Sequence, residues 1–140
     1  MDLFDPVRWQ ATFASMDTFW EGFGFTLQVV VAALILALVL GTVLGIFSTT
    51  HIKVLRGISR VYVEFYQNTP LPVQVFFMYA AGPLVLQSLT NAPTPVRIAP
   101  FVLGSVGVGL YHAAYVSEVI RQGIEAVPHG QMEAALSQGF

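Results

Sequence analysis

Residues 111–140 read YHAAYVSEVIRQGIEAVPHGQMEAALSQGF, and the order of residue types in that stretch sets the reading of the whole chain. It opens as the end of an apolar helix. Glu118 is the first charge after a run without any from residue 98 to residue 117, and Arg121 follows it, so the helix leaves its apolar surroundings here. Val127-Pro128-His129-Gly130 then breaks it: proline disfavours helix in the residue before it, and glycine is a poor helix former. A short new segment follows at residues 131–139. An apolar helix that passes a charged edge and a break into a compact surface helix is the layout of a membrane part that pushes on something outside the membrane.

Composition supports a membrane setting. The chain of 140 residues is 55% hydrophobic and 10% charged, with a mean hydropathy of +0.68, where soluble domains average about 25% charged residues. Residues 22–50, 65–96 and 98–117 carry no Asp, Glu, Lys or Arg. A bilayer core is crossed by roughly 20 mostly apolar residues. A soluble protein with buried helices is excluded, because too little polar surface is left to cover such a core. The expected fold class is therefore an all-α, polytopic membrane protein. With no cysteine, a disulfide framework and a Cys-ligated metal site are excluded. Asp2 and Asp5 stand where a cleavable signal would carry Lys or Arg.

Outward from the quoted stretch, residues 101–121 read as a third span. Ser105, Gly109, Ala113 and Ser117 recur at every fourth position, and Tyr111, His112 and Tyr115 add polar tips. His112 reads either as a packed, hydrogen-bonded residue or as a functional group, the default for an ionisable residue in a membrane helix. Glu118 and Arg121, three apart, share a helix face suited to pairing. Residues 82–100, punctuated by Pro83, Pro93, Pro95 and Pro100, read as an external loop with a partial helix at 84–89. The second span, 58–89, contains Gln67-Asn68-Thr69-Pro70-Leu71-Pro72, where two prolines predict a bend or break. Carbonyls freed at membrane depth need partners in protein or a wet cavity. Gln74 follows, suited either to hydrogen bonding between helices or to meeting a substrate. Residues 49–60 carry Lys53, Arg56 and Arg60, and such short basic loops stay cytoplasmic. That explains the charge better than nucleic-acid binding. The first span, 22–47, has its own stripe, Ala33, Ala37, Gly41 and Gly45, which allows close helix approach. Residues 1–21, acidic and rich in Trp and Phe, read as an external interfacial segment.

No phosphate loop, HExxH, GxSxG or paired carboxylates in a plausible pocket appear, so neither a catalytic nor a metal site is expected.

The final segment resembles the EAA loop of ABC-importer permeases: Glu133-Ala134-Ala135, three residues, then Gly139. Its surroundings, Ala114-Tyr115-x-x-Glu118-x-x-Arg121-x-Gly123-Ile124-x-x-Val127-x-x-Gly130-Gln131-x-Glu133-Ala134-Ala135, look like the polar amino-acid permeases of the binding-protein-dependent class. Thr26-Leu27-Gln28 and Tyr62-x-Glu64-x-x-x-Asn68-Thr69-Pro70-Leu71-x-x-Gln74 fit the same family, so the resemblance extends from about residue 22 to residue 140. Two departures stand out. Gln67 replaces the family's usual Arg, and His112 stands where many members have a small residue or Asn.

The resemblance implies a transmembrane subunit of an importer for polar amino acids of the glutamate, glutamine and arginine type, in the bacterial inner membrane. The fold implied is the MetI-like permease core, with three spans here of an expected five, so that the chain is a partial permease. The alternative is a non-transporting, truncated membrane fragment. The N-terminus would be external and the EAA segment, 125–140, a cytoplasmic coupling helix. Implied partners are an ABC ATPase dimer, a second permease subunit (identical or homologous), a periplasmic amino-acid-binding protein and the lipid bilayer, with no nucleic acid. ATP and Mg would belong to the ATPase, with no cofactor bound here. Coupling would fall to Gly130, Gln131, Glu133, Ala134, Ala135 and Gly139. Ala134 and Ala135 would seat the helix in a groove, Gly139 would end it, and Glu133, near the helix start, would be favoured by the dipole. Gln74, Tyr111, His112 and Tyr115 are the candidate substrate contacts. Ala33, Ala37, Gly41, Gly45, Ser105, Gly109 and Ala113 are the packing positions.

Overall fold

A computed structural model describes residues 6–139. Asp2 and Asp5 of the acidic segment lie outside the described residues, as does Phe140. Six helices follow in order: α1 Pro6–Ala14, α2 Met16–Thr49, α3 Lys53–Gln67, α4 Leu71–Thr90, α5 Pro100–Glu125 and α6 His129–Ser137. Among the described residues α2 and α4 are long and apolar enough to cross a membrane by length and composition. α2 begins at Met16, six residues before the span read from the sequence. At 1.5 Å per residue its 34 residues reach about 51 Å, well beyond a hydrocarbon core of about 30 Å. Phe19, Trp20 and Phe23, ringed together at its start and exposed, are residues suited to the boundary outside that core.

α5 is the centre of the bundle, packed on α2 along one side and on α3 and α4 along another. Small residues decide the α2–α5 crossing. Ala33, Ala37, Ala113 and Ser117 are all but inaccessible. A methyl group built on Gly41 would lie 2.6 Å from Val116 Cβ, one on Gly45 2.6 Å from Ile120 Cβ, and one on Gly109 2.8 Å from Leu36 Cδ2. The backbones approach to a distance that only glycine tolerates at these three positions. Two hydrogen bonds tie α3 to this core: Ser59 Oγ donates to Leu44 O (2.8 Å) and Tyr62 Oη to Leu110 O (2.8 Å).

Of the bend or break expected at Pro70 and Pro72, the structure has a break, which divides the second span into two helices. α3 stops at Gln67 because Pro70 denies helix to Thr69, and α4 restarts with Pro72 in its first turn, where a missing N–H costs nothing. The end expected for the second span, residue 89, lies one residue from the end of α4, whereas the loop expected over residues 82–100 begins only after that helix. α4 continues through Pro83 to Thr90. Proline's fixed φ suits a helix, but the residue forfeits the bond to the Tyr79 carbonyl and crowds it; α4 nonetheless does not end there. The helix ends instead at Asn91, which takes the left-handed conformation (φ 51°) and donates its N–H to Gln87 O.

Candidate functional site

α2 ends, α3 begins and α5 ends at the same side of the bundle. There, Thr49, Arg56, Arg60, Glu64, Glu118, Arg121, Glu125 and Met132 line a cleft of ≈ 990 Å³ together with neighbouring residues. Arg121 organises its α5 wall. Nη2 lies 2.8 Å from Glu118 Oε2, Nε 3.2 Å from both Glu118 oxygens, and Nη1 2.6 Å from Glu125 Oε2. The pairing expected from the three-residue spacing of Glu118 and Arg121 is present, and Glu125, one turn further, completes a fork that only a guanidinium can hold. This clasp spans the last two turns of α5.

Past the clasp the chain bends sharply. Ala126 N–H donates to Gln122 O at 2.9 Å, and Pro128, with extended backbone, is the N-cap of α6. His129 and Gly130, read in sequence as part of the break, form the first turn of α6. Glu133 therefore lies in the second turn and no acidic residue lies in the first. The dipole effect falls off within one turn, so the proximity to the helix start expected for Glu133 is corrected. Gly139 has φ +88°, a conformation glycine reaches without strain, and its N–H donates to Leu136 O at 3.2 Å. Gln131, Glu133 and Ala134 are exposed and Ala135 is partly covered. Among the described residues α6 packs on no other helix. Met132 and Leu136, one turn apart, are 57% and 64% exposed, so α6 offers a largely open apolar stripe.

The four candidate substrate contacts do not form one group. Gln74 Nε2 donates to Tyr66 O (3.0 Å) and Thr69 O (2.9 Å), two carbonyls at the break between α3 and α4. Asn68 Nδ2 and Thr69 Oγ1 serve the carbonyls of Glu64 and Phe65 in the same way. Gln74 shares a small cavity with Gly107 and Leu110. At 100° per residue His112 lies about 140° around α5 from Gly107 and about 160° from Leu110, whereas Tyr111 shares the face of Gly107. Tyr111, His112 and Tyr115 do cluster. Tyr111 Oη and Tyr115 Oη are 2.9 Å apart, and His112 Nδ1 lies 2.9 Å from Val108 O. The Ser59 and Tyr62 bonds and the Glu125 arm of the clasp were missed in sequence. Ser59 carries no pattern that sets it apart, whereas the four-residue spacing of Arg121 and Glu125 is a pairing signal that could have found the second arm.

Residues 37–140 match the family model for binding-protein-dependent transport system inner membrane components. The chain is 37% identical over 128 residues to the probable glutamine ABC transporter permease protein GlnM of Bacillus subtilis, covering 91% of this chain and 55% of that protein. It is 34% identical over 125 residues to the glutamate/aspartate import permease protein GltJ of Escherichia coli K12, covering 86% and 51%. A crystal structure of an amino acid ABC transporter with histidines superposes with a TM-score of 0.77 at 27% identity, over 94% of this chain and 57% of that one. The chain thus spans little more than half the length of the proteins it matches.

Proposed function

The chain belongs to the family of binding-protein-dependent transport system inner membrane components, and from that premise we propose that it is the membrane-spanning part of an importer of polar amino acids, driven through α6. It would cross the bacterial inner membrane several times, with residues 6–14 outside and the cleft and α6 in the cytoplasm. The basic residues Lys53, Arg56 and Arg60 at the cleft end support that orientation. A binding protein would deliver the amino acid from outside, two permease subunits would enclose the path, and hydrolysis of ATP would occur in a separate ATPase dimer.

The observation that carries this reading is the isolation of α6. A nine-residue helix whose backbone approaches no other helix among the described residues, and which leaves Met132 and Leu136 more than half exposed, is built to be covered by another protein. Burying such a stripe in a groove of the ATPase would make α6 move with it. The clasped end of α5 would carry the motion into the bundle as a rigid displacement, because packed helices shift as units. Glu133, on the exposed surface of α6, would add a charge-assisted bond to the ATPase. The names of the matched relatives support glutamine and acidic amino acids as the substrate class.

The test is Glu133→Lys in the assembled transporter. Membrane insertion is expected to be unchanged and ATP hydrolysis to persist, while amino-acid uptake falls by about tenfold or more, as for loss of a hydrogen-bonded charge at an interface. Uptake at the unsubstituted rate would remove α6 from the mechanism.

A further inference from the structure

The surface of α3 divides into three sectors. Ser59 and Val63 are buried, and Ser59 and Tyr62 bond to carbonyls of α2 and α5. Val54, Ile58, Val61 and Phe65 fall within about 60° of one another at 100° per residue, and each is more than half exposed. Lys53, Arg56, Arg60 and Glu64 fall within a separate sector of about 80° and are exposed. Gly57 sits on the border between the apolar and the charged sector. A groove of ≈ 550 Å³ runs along the apolar side, bordered by Gly57, Ile58, Val61, Tyr62, Phe65 and Tyr66. Gly57 closes it at the end where the cations stand.

Two features of this border point to a ligand. The first is the glycine. Glycine is a poor helix former, and Gly41, Gly45 and Gly109 are required by close packing, whereas a methyl group built on Gly57 meets nothing within 4 Å. Packing inside the chain therefore gives no reason for a bare backbone here. The second is charge. Lys53 lies one turn before Gly57, Arg60 three residues after it and Arg56 beside it, so the three cations surround it at spacings of about 5–6 Å between Cβ atoms. The ion pairs among the described residues are those of Arg121 with Glu118 and Glu125, and Glu64 comes within pairing distance of none of the three. Like charges at these spacings repel. The first turn of α3 also holds no acidic residue to offset the positive end of the helix. An uncompensated positive patch thus stands at the mouth of an apolar groove.

We propose that α3 holds an acidic diacyl phospholipid of the cytoplasmic leaflet, with its phosphate among Lys53, Arg56 and Arg60 over Gly57 and one acyl chain along Ile58, Val61 and Phe65. The inference rests on the transport reading above for the orientation of α3 in the membrane. Both halves of the site are needed to name the ligand. A free phosphate satisfies the cations and leaves the groove open to water. A zwitterionic lipid fills the groove but brings a cation of its own, which the patch repels. An acidic lipid meets both demands, and the missing side chain at residue 57 lets its headgroup approach the helix backbone. A basic loop that served only to fix topology would require neither the groove nor the glycine. Each Lys or Arg close to an acidic membrane surface strengthens attraction by roughly fivefold.

The experiment uses the transporter containing this chain, purified from native membranes in mild detergent. Retained lipid is identified by native mass spectrometry. Binding of radiolabelled dioleoyl phosphatidylglycerol is then measured, with dioleoyl phosphatidylcholine, glycerophosphoglycerol and inorganic phosphate as competitors. An acidic phospholipid is expected to co-purify, and phosphatidylcholine to compete at least about tenfold more weakly than phosphatidylglycerol. The chain-free headgroup and inorganic phosphate are expected not to displace the lipid at equal concentration. Arg60→Gln is expected to weaken binding about fivefold. Gly57→Leu, which keeps every charge and fills the mouth of the groove, is expected to weaken it as well, while Gly24→Leu, equally unobstructed, leaves it unchanged. Gly57→Leu decides the matter if Arg60→Gln fails to assemble. Equal competition by phosphatidylcholine, displacement by phosphate as readily as by lipid, or unchanged binding in both variants overturns the site. So does the absence of binding where another segment of the transporter fills the groove. Amino-acid uptake with no lipid bound overturns the site and leaves the transport reading intact. Lipid that is bound, and lost in the variants, in a transporter that takes up no amino acid upholds the site and counts against the transport reading.

Discussion

At the residue scale, the fold rests on positions where one atom decides the outcome. Gly41 is the clearest: a Cβ there would meet Val116 Cβ at 2.6 Å and the Ala113 carbonyl at 2.8 Å. Gly41→Ala is expected to destabilise the protein by about 1–3 kcal/mol through overpacking. Gly24→Ala, in the same helix with nothing near its added methyl, is expected to leave the midpoint unchanged or raise it slightly. Thermal unfolding of both variants in one detergent checks the contrast. Gln74 is the second such position. Gln74→Leu removes the donor that serves Tyr66 O and Thr69 O, at a cost of about 1–3 kcal/mol for polar groups left unpaired. If Gln74 met substrate instead, the same substitution would lower uptake and leave the unfolding midpoint alone.

At the element scale, the two breaks in the chain have different physics. The α3–α4 break is held by side chains of the break itself, so both halves stay in the bundle. Among the described residues the α5–α6 bend shows no such ties beyond its backbone bonds, which leaves α6 to follow whatever binds it. What stiffens that junction is the Arg121 clasp. Arg121→Met leaves Glu118 and Glu125 unpaired and is expected to speed amide exchange at residues 118–127 with little change in residues 30–45, a pattern read by hydrogen-exchange mass spectrometry. Arg121→Lys is expected to fall in between, because a point charge holds one carboxylate better than two. The end of α6 is equally defined: Gly139→Val places a β-branched residue at a φ of +88°, where L side chains are strained by about 1–2 kcal/mol.

At the scale of the whole molecule, the path of the chain makes a topological prediction that the absence of cysteine makes easy to test. α2 runs to the cleft end, α3 and α4 run back, and α5 returns. Single cysteines at His51 and Gln131 are therefore expected to label from one face of the membrane and a cysteine at Asn91 from the other. Labelling of all three from one face would contradict the arrangement. Apolar composition, the gaps between charges and the two small-residue stripes are local properties, so membrane residence, helical class and the packing faces of α2 and α5 were legible from residues alone. So was the Glu118–Arg121 pair, whose partners lie on one helix. Helix ends were less so: Pro83 reads as a breaker until α4 is seen to continue past it, and His129 and Gly130 read as a break until Pro128 is seen to cap α6. Which stripe meets which is set by contacts between residues some 70 positions apart in sequence, such as Gly41 with Val116. Only tertiary structure could match them. It alone separated Gln74, absorbed by its own backbone, from the Tyr111–His112–Tyr115 group left open on α5, because burial is a property of neighbours that no single stretch of sequence contains.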